Sequence, residues 1–258
     1  HLHALDWVDI LSALKADPSK TAILAQTISD WHNSSKTYFK EVQDKLKALA
    51  ETGQIGPFTG GYWGHPEYKL TPEANLMAVA HYLEALQWQR EVIKIQAILG
   101  AKNPHAQTYL VGGMAVPIDP NTQSAINADS IAFISKLSKK ALNFVKKVYI
   151  PDLIAICSFY KEWVKYGEGV GNYLAYGEFP KDNISNTENL YLPRGVILEK
   201  NLTKVYPVDH TKIEEYVTHS WYRYPDSDKG LHPYEGITDF HYTGPQPPYE
   251  FLNIEEKY

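Results

Sequence analysis

The chain has 258 residues and a mass of 29.3 kDa, with 44% hydrophobic and 21% charged residues, the usage of one large globular domain or two modest ones. Its formal net charge of -5 argues against a nucleic-acid binder held by phosphate contacts. Its single cysteine, Cys157, excludes an internal disulfide framework, a four-cysteine zinc site and a cysteine-ligated iron–sulfur cluster within the chain.

The chain opens His1-Leu2-His3 with no basic leader. Leu5, Val8, Leu11 and Leu14 already fall on one helical stripe, so part of a longer protein is expected. Asp17-Pro18 reads as an N-cap followed by proline at the first helical position, opening a helix to about residue 31. Ser34 or Ser35 caps a third helix through Val42, Leu46 and Leu49, closed by Gly53. An aromatic, glycine-rich loop follows over 52–70. Thr71-Pro72-Glu73 starts the longest helix, 71–99, stopped by Gly100 and roughly 40 Å long at ~1.5 Å per residue. A loop or hairpin occupies 100–126. Helix resumes over 127–149, Pro151 breaks or kinks it, and a further helix carries Leu153, Ile156, Tyr160 and Trp163.

The texture changes from Gly167 onward. Short β-like runs at 190–192, 196–198 and 204–208 lie between turn residues, interrupted by one short helix over 211–220 and ending in a Pro- and Tyr-rich loop. The expected fold is α+β, mainly α. A long-helix bundle occupies 1–166 and an irregular β-rich appendage 167–258, both parts of one larger domain. No apolar stretch reaches the ~18–20 residues of a membrane span.

Short motifs disclose little chemistry. The ten histidines form no HxxxH or HExxH pair, and His65, His105, His219, His232 and His241 read as polar loop residues. Cys157, inside Leu153-Ile-Ala-Ile-Cys-Ser-Phe159, reads as a buried small hydrophobe. Gly60-Gly61, Gly112-Gly113 and Gly167-Glu-Gly-Val-Gly171 lack the context of a phosphate loop and read as turns. Glu214-Glu215 and Glu255-Glu256 read as solvated faces, and the aromatic loop over 58–68 as packing rather than a sugar platform.

The longer strings are more specific. His1-Leu-His-Ala-Leu-Asp-Trp-Val-Asp-Ile-Leu-Ser-Ala-Leu-Lys-Ala-Asp-Pro18 resembles the large subunit of [NiFe] hydrogenases. So does the stretch from Tyr62-Trp-Gly-His-Pro-Glu-Tyr-Lys-Leu to Ala-His-Tyr-Leu-Glu-Ala-Leu86. So do Lys102-Asn-Pro-His105, Leu110-Val-Gly-Gly113, Tyr149-Ile-Pro-Asp-Leu153, Leu192-Pro-Arg-Gly195 and His219-Ser-Trp-Tyr-Arg-Tyr-Pro225. The matches run in family order along the whole chain and look most like the membrane-associated uptake type.

The resemblance implies a catalytic subunit that oxidises H2 reversibly at a Ni–Fe centre carrying CO and cyanide, with a structural Mg nearby. Electrons pass to iron–sulfur clusters on a small-subunit partner. The family's nickel is held by four cysteinates from two CxxC motifs. Neither motif is here, so the chain resembles the middle of the subunit, with no metal expected on it alone. His105 matches the family histidine that approaches the proximal cluster. The sequence departs nearby, with Ala101 where glycine is common. Glu215 matches a carboxylate near the Mg site. The family implies the periplasmic side of the cytoplasmic membrane, reached by export with the small subunit. The competing readings are a non-catalytic homologue of the complex I type, and a structural or carbohydrate-binding module.

Overall fold

The computed structural model describes residues 7–54, 62–110, 113–123, 125–183, 186, 188–216 and 230–235. Leu5, the glycine pair at 60–61, Gly112, the run 219–225, His241, Glu255-Glu256 and the last twenty residues lie outside the described set. The chain divides into two compact units, His1–Lys165 and Tyr166–Tyr258.

The first unit is built from capped helices. Helix α1, Ile10–Ala13, is a single turn capped by Asp9, whose carboxylate accepts the Ser12 N–H. Val8 precedes it fully buried, whereas Leu11 is exposed. The predicted stripe therefore does not hold: one turn is too short to carry it. Helix α2, Pro18–Ile28, has the expected Asp17 cap with proline behind it and stops at Ile28 rather than near residue 31. Helix α3, Lys36–Glu51, is capped by Ser35 and buries Phe39, Val42, Gln43 and Leu46. Gln43 is a core residue because α1 ends inside the protein. Its amide donates to the carbonyls of Ala13, Leu14 and Ala16 at 2.8–3.3 Å, oxygens that a helix end otherwise leaves without partners.

The helix expected over 71–99 is two. Helix α4, Pro72–Val92, is capped by Thr71, and α5 follows at Lys94–Gly100. The interruption is one residue wide: Ile93 keeps φ -60° and ψ -16°, its N–H reaches the Gln89 carbonyl at 3.0 Å and its carbonyl accepts the Ala97 N–H at 3.2 Å. Every residue of α4 from Ala74 to His81 is buried. A helix enclosed all round is a core helix. The small side chains of Ala74, Ala78 and Ala80 let its neighbours approach, and Val8, Phe39, Leu76, Met77, Val79, Ile156 and Tyr160 complete the core.

A short antiparallel pair follows, β1 (Tyr109–Leu110) with β2 (Gly113–Met114). Helix α6, Ala128–Phe144, is capped by Asn127. Of the break or kink expected at Pro151, the structure shows an irregularity without a break. Instead α6 widens into a π-helical turn, Val145–Tyr149, and continues as α7, Ile150–Phe159. Pro151 has no N–H for the Lys147 carbonyl four residues back, and its ring would strike that carbonyl. Widening to an i→i+5 pattern, in which the Ile150 N–H reaches the Val145 carbonyl, relieves the clash. The Lys147 carbonyl is taken by the Ser29 hydroxyl, just past α2, and Lys147 Nζ lies 2.7 Å from Asp30. A 3-10 stretch, Lys161–Gly167, carries Trp163 beyond α7.

The second unit holds β3 (Tyr173–Ala175), β4 (Glu178–Pro180), β5 (Leu190–Leu192) and β6 (Gly195–Ile197). They pair antiparallel as β4 with β5 and β3 with β6, with Tyr173 opposite Ile197. The strand expected at 204–208 is only a bridge, Tyr206 to Val196. Gly171 takes φ +82°, as expected of a turn glycine. The helix expected over 211–220 is, in its described part, a 3-10 turn at His210–Lys212 capped by Asp209. Residues 217–220 lie outside the described set.

Candidate functional site

His105 is exposed in the loop after α5. That loop folds back over the end of its helix. The Gln107 N–H donates to the Gly100 carbonyl at 2.9 Å, and the Thr108 hydroxyl donates to the Leu99 carbonyl at 2.5 Å. The Gln96 amide donates to the carbonyl of Pro104, next to the histidine. Ala101 makes the turn at φ +58°, in the left-handed region that glycine occupies without strain. A side chain on Gly100 would strike the Ala106 Cβ at 2.7 Å, so the loop also needs a bare backbone there.

Glu215 belongs to the second unit. It is exposed on an extended segment, its backbone bridged both ways to Leu231. The neighbouring Glu214 accepts the Tyr216 hydroxyl at 3.1 Å. The solvated helix face expected for this pair is therefore a bridged strand-like edge. His105 and Glu215 each stand in their own unit.

Sequence reading missed two polar arrangements inside the first unit. His81 Nδ1 and Asp152 Oδ2 are 2.7 Å apart, with side chains 3% and 1% exposed. The pair ties α4 to the first turn of α7. His81 Nε2 is buried with no hydrogen-bond partner among the described residues. The only sequence signal was a histidine directly after the apolar run 76–80; its partner lies 71 residues away. One turn further along α4, Glu84 accepts from Trp31 Nε1 at 2.8 Å, Asn33 Nδ2 at 3.0 Å and the Tyr38 hydroxyl at 2.6 Å. Burial first, and then the Glu84 carboxylate, push the Tyr38 hydroxyl far above its ordinary value of 10.0, because both disfavour the phenolate.

The donor chemistry of the described residues does not fit a thiolate-rich nickel centre. Cys157 is half-buried on α7 rather than fully buried as expected. No group of three His, Cys, Asp or Glu side chains converges among the described residues. No described helix is long and apolar enough to cross a membrane.

The sequence profile of nickel-dependent hydrogenases matches residues 1–258. The chain belongs to the nickel-dependent hydrogenase family. It is 53% identical to the uptake hydrogenase large subunit of Rhizobium leguminosarum bv. viciae, over 99% of this chain and 44% of that protein. It is 44% identical to the hydrogenase-1 large chain of Escherichia coli K12, over 100% of this chain and 45% of that one. Among solved structures, a [NiFeSe] hydrogenase of Dm. baculatum superposes with a TM-score of 0.59 at 26% identity, covering 75% of this chain and 38% of that one. This hydrogenase-family chain thus spans less than half the length of the curated relatives it matches. The large-subunit resemblance and the mainly α, α+β class stand.

Proposed function

We propose that these 258 residues are the middle segment of the catalytic large subunit of a nickel–iron hydrogenase. In the whole protein H2 is oxidised to protons, and electrons leave through iron–sulfur clusters on a small subunit. The observation carrying this reading is the 53% identity to an uptake hydrogenase large subunit along 99% of the chain. With one thiol available, no step of the hydrogen chemistry is assigned to these residues, and the segment alone is inactive. The Ni–Fe centre, its CO and cyanide ligands and the Mg belong to the complete subunit. Location on the periplasmic side of the membrane follows from the same reading.

The segment contributes contacts around the centre. His105, exposed beyond α5, donates a ring N–H toward the small subunit's proximal cluster, where such a bond tunes reduction potential. Glu215 supports the surroundings of the Mg site. The 1–166 and 167–258 regions act as two parts of one subunit domain.

A chimera tests the reading. This chain replaces the matching 44% of the Rhizobium large subunit, co-expressed with its small subunit. H2-dependent dye reduction is expected. In that chimera His105→Ala should move the proximal cluster's potential with nickel content unchanged. A folded, nickel-loaded chimera without H2 oxidation would refute the catalytic assignment. An unchanged cluster titration would remove the role of His105.

A further inference from the structure

The aromatic loop before α4 builds a site that the hydrogenase reading does not use. Two successive turns run through it: the His65 N–H reaches the Tyr62 carbonyl and the Tyr68 N–H the His65 carbonyl, each at 3.0 Å. They set Tyr62, His65 and Tyr68 around a surface cleft of about 280 Å³, which Glu67 and Trp163 also line.

The cleft is held from several sides. The Gly64 N–H donates to the buried Asp9 carboxylate at 2.9 Å. The Lys69 N–H donates to the Tyr160 hydroxyl at 2.8 Å, and that hydroxyl donates to the Trp7 carbonyl at 3.1 Å. Trp163 packs against Trp7 and Tyr160, with ring centroids 5.0 and 4.4 Å away. Tyr68 stacks on Trp63 at 6.1 Å. Two of its walls are therefore fixed before any ligand arrives, which lowers the ordering cost of binding.

The charge at the mouth selects the ligand. Lys69 Nζ stands 3.4 Å from Glu162 and 4.0 Å from Glu67. Lys165 also faces Glu162, and Glu67 is the carboxylate among the described lining residues. Aromatic faces attract cations through their quadrupole, tryptophan most strongly. His65 Nδ1 accepts the Glu67 N–H at 3.2 Å, which fixes the ring against the turn. From this combination of aromatic walls, a lining carboxylate and a rigid frame, we propose that the cleft binds an organic cation, an alkylammonium or a guanidinium group. The aromatic walls and the Glu67 carboxylate oppose an anion.

Saturation-transfer NMR on the full chain tests this, using choline, its neutral carbon isostere dimethylbutanol, acetyl-arginine amide and methyl glucoside. Choline or the arginine amide should bind in the millimolar range, the isostere and the glucoside at least tenfold more weakly. Tighter choline identifies a free alkylammonium as the ligand; tighter arginine amide identifies a protein side chain. Trp163→Leu should abolish binding. Because Trp163 also packs against the core, the deciding variants are at the exposed Tyr62 and Glu67. Tyr62→Ala and Glu67→Gln should each weaken binding at least threefold with an unchanged melting curve. Equal binding of choline and dimethylbutanol, preference for the glucoside, or indifference to both surface variants would overturn the proposal.

Discussion

Replacing Asp152 by leucine should cost about 2–3 kcal/mol, the range for removing a buried charge-assisted hydrogen bond and leaving its partner unsatisfied. The structure places this case at the severe end. The two side chains are 3% and 1% exposed and 2.7 Å apart, so water cannot replace the lost carboxylate without opening the α4–α7 contact. The imidazole would then keep neither nitrogen paired among the described residues, since Nε2 already has no partner. That loss is a large share of the ~5–15 kcal/mol that stabilises a typical domain. His81→Leu should also destabilise the chain, by taking the imidazole away from the buried Asp152 carboxylate. The double variant should recover most of the loss, because apolar groups of similar size replace a buried pair at little cost. Asp152→Asn, which keeps an oxygen acceptor, should fall between. Urea unfolding followed by far-UV circular dichroism gives all four stabilities, and the double-mutant cycle gives the coupling. An Asp152→Leu cost below about 1 kcal/mol, or a cycle with no coupling, would refute the view that the pair fastens these helices.

Ala101→Gly should stabilise the chain by roughly 0.5–1 kcal/mol, since alanine at φ +58° carries a left-handed penalty of ~1–2 kcal/mol that glycine's extra chain entropy only partly offsets; the shift in urea midpoint checks it. Tyr38 makes stability fall in alkali. Its folded hydroxyl titrates above the unfolded value of 10.0, so its contribution is complete below that pH. The contribution declines as pH rises past it, by at most ~1.4 kcal/mol per unit. Tyr38→Phe should flatten the difference in urea midpoint between neutral and strongly alkaline solution, and equal slopes in both proteins would contradict this.

Local chemistry was legible in the sequence where it acts over a few residues. Asp17-Pro18, Ser35, Thr71-Pro72 and Asn127 announce helix starts by their own hydrogen bonds, and each caps the helix expected of it. The stripe from Leu5 to Leu14 failed because period alone cannot reveal that Val8 and Leu11 part company at a one-turn helix. Pro151 signalled an irregularity, but the cure depends on a hydroxyl at Ser29, more than a hundred residues away. The helix expected through Glu215 gave way to a bridge with Leu231, a pairing no local pattern encodes. The His81–Asp152 pair stayed hidden because only the tertiary fold brings its halves together.

The π-helical turn makes the register of α7 a matter of chain length. Removing one residue between 145 and 149 would take away the extra residue of the π-turn, set the Pro151 ring against a helical carbonyl again, and swing α7 by roughly 100° about the axis, since a helix has ~3.6 residues per turn. Asp152, Ile156 and Tyr160 all point inward from α7, and all three would be turned aside together. Tyr160 also fastens the backbone of Lys69 beside the aromatic cleft. A single-codon deletion here would therefore dismantle a buried pair and a surface pocket in one stroke, whereas the same deletion in an exposed turn would be absorbed locally. Sequences that share this architecture should tolerate substitutions along 145–149 far more readily than a change in the number of residues there.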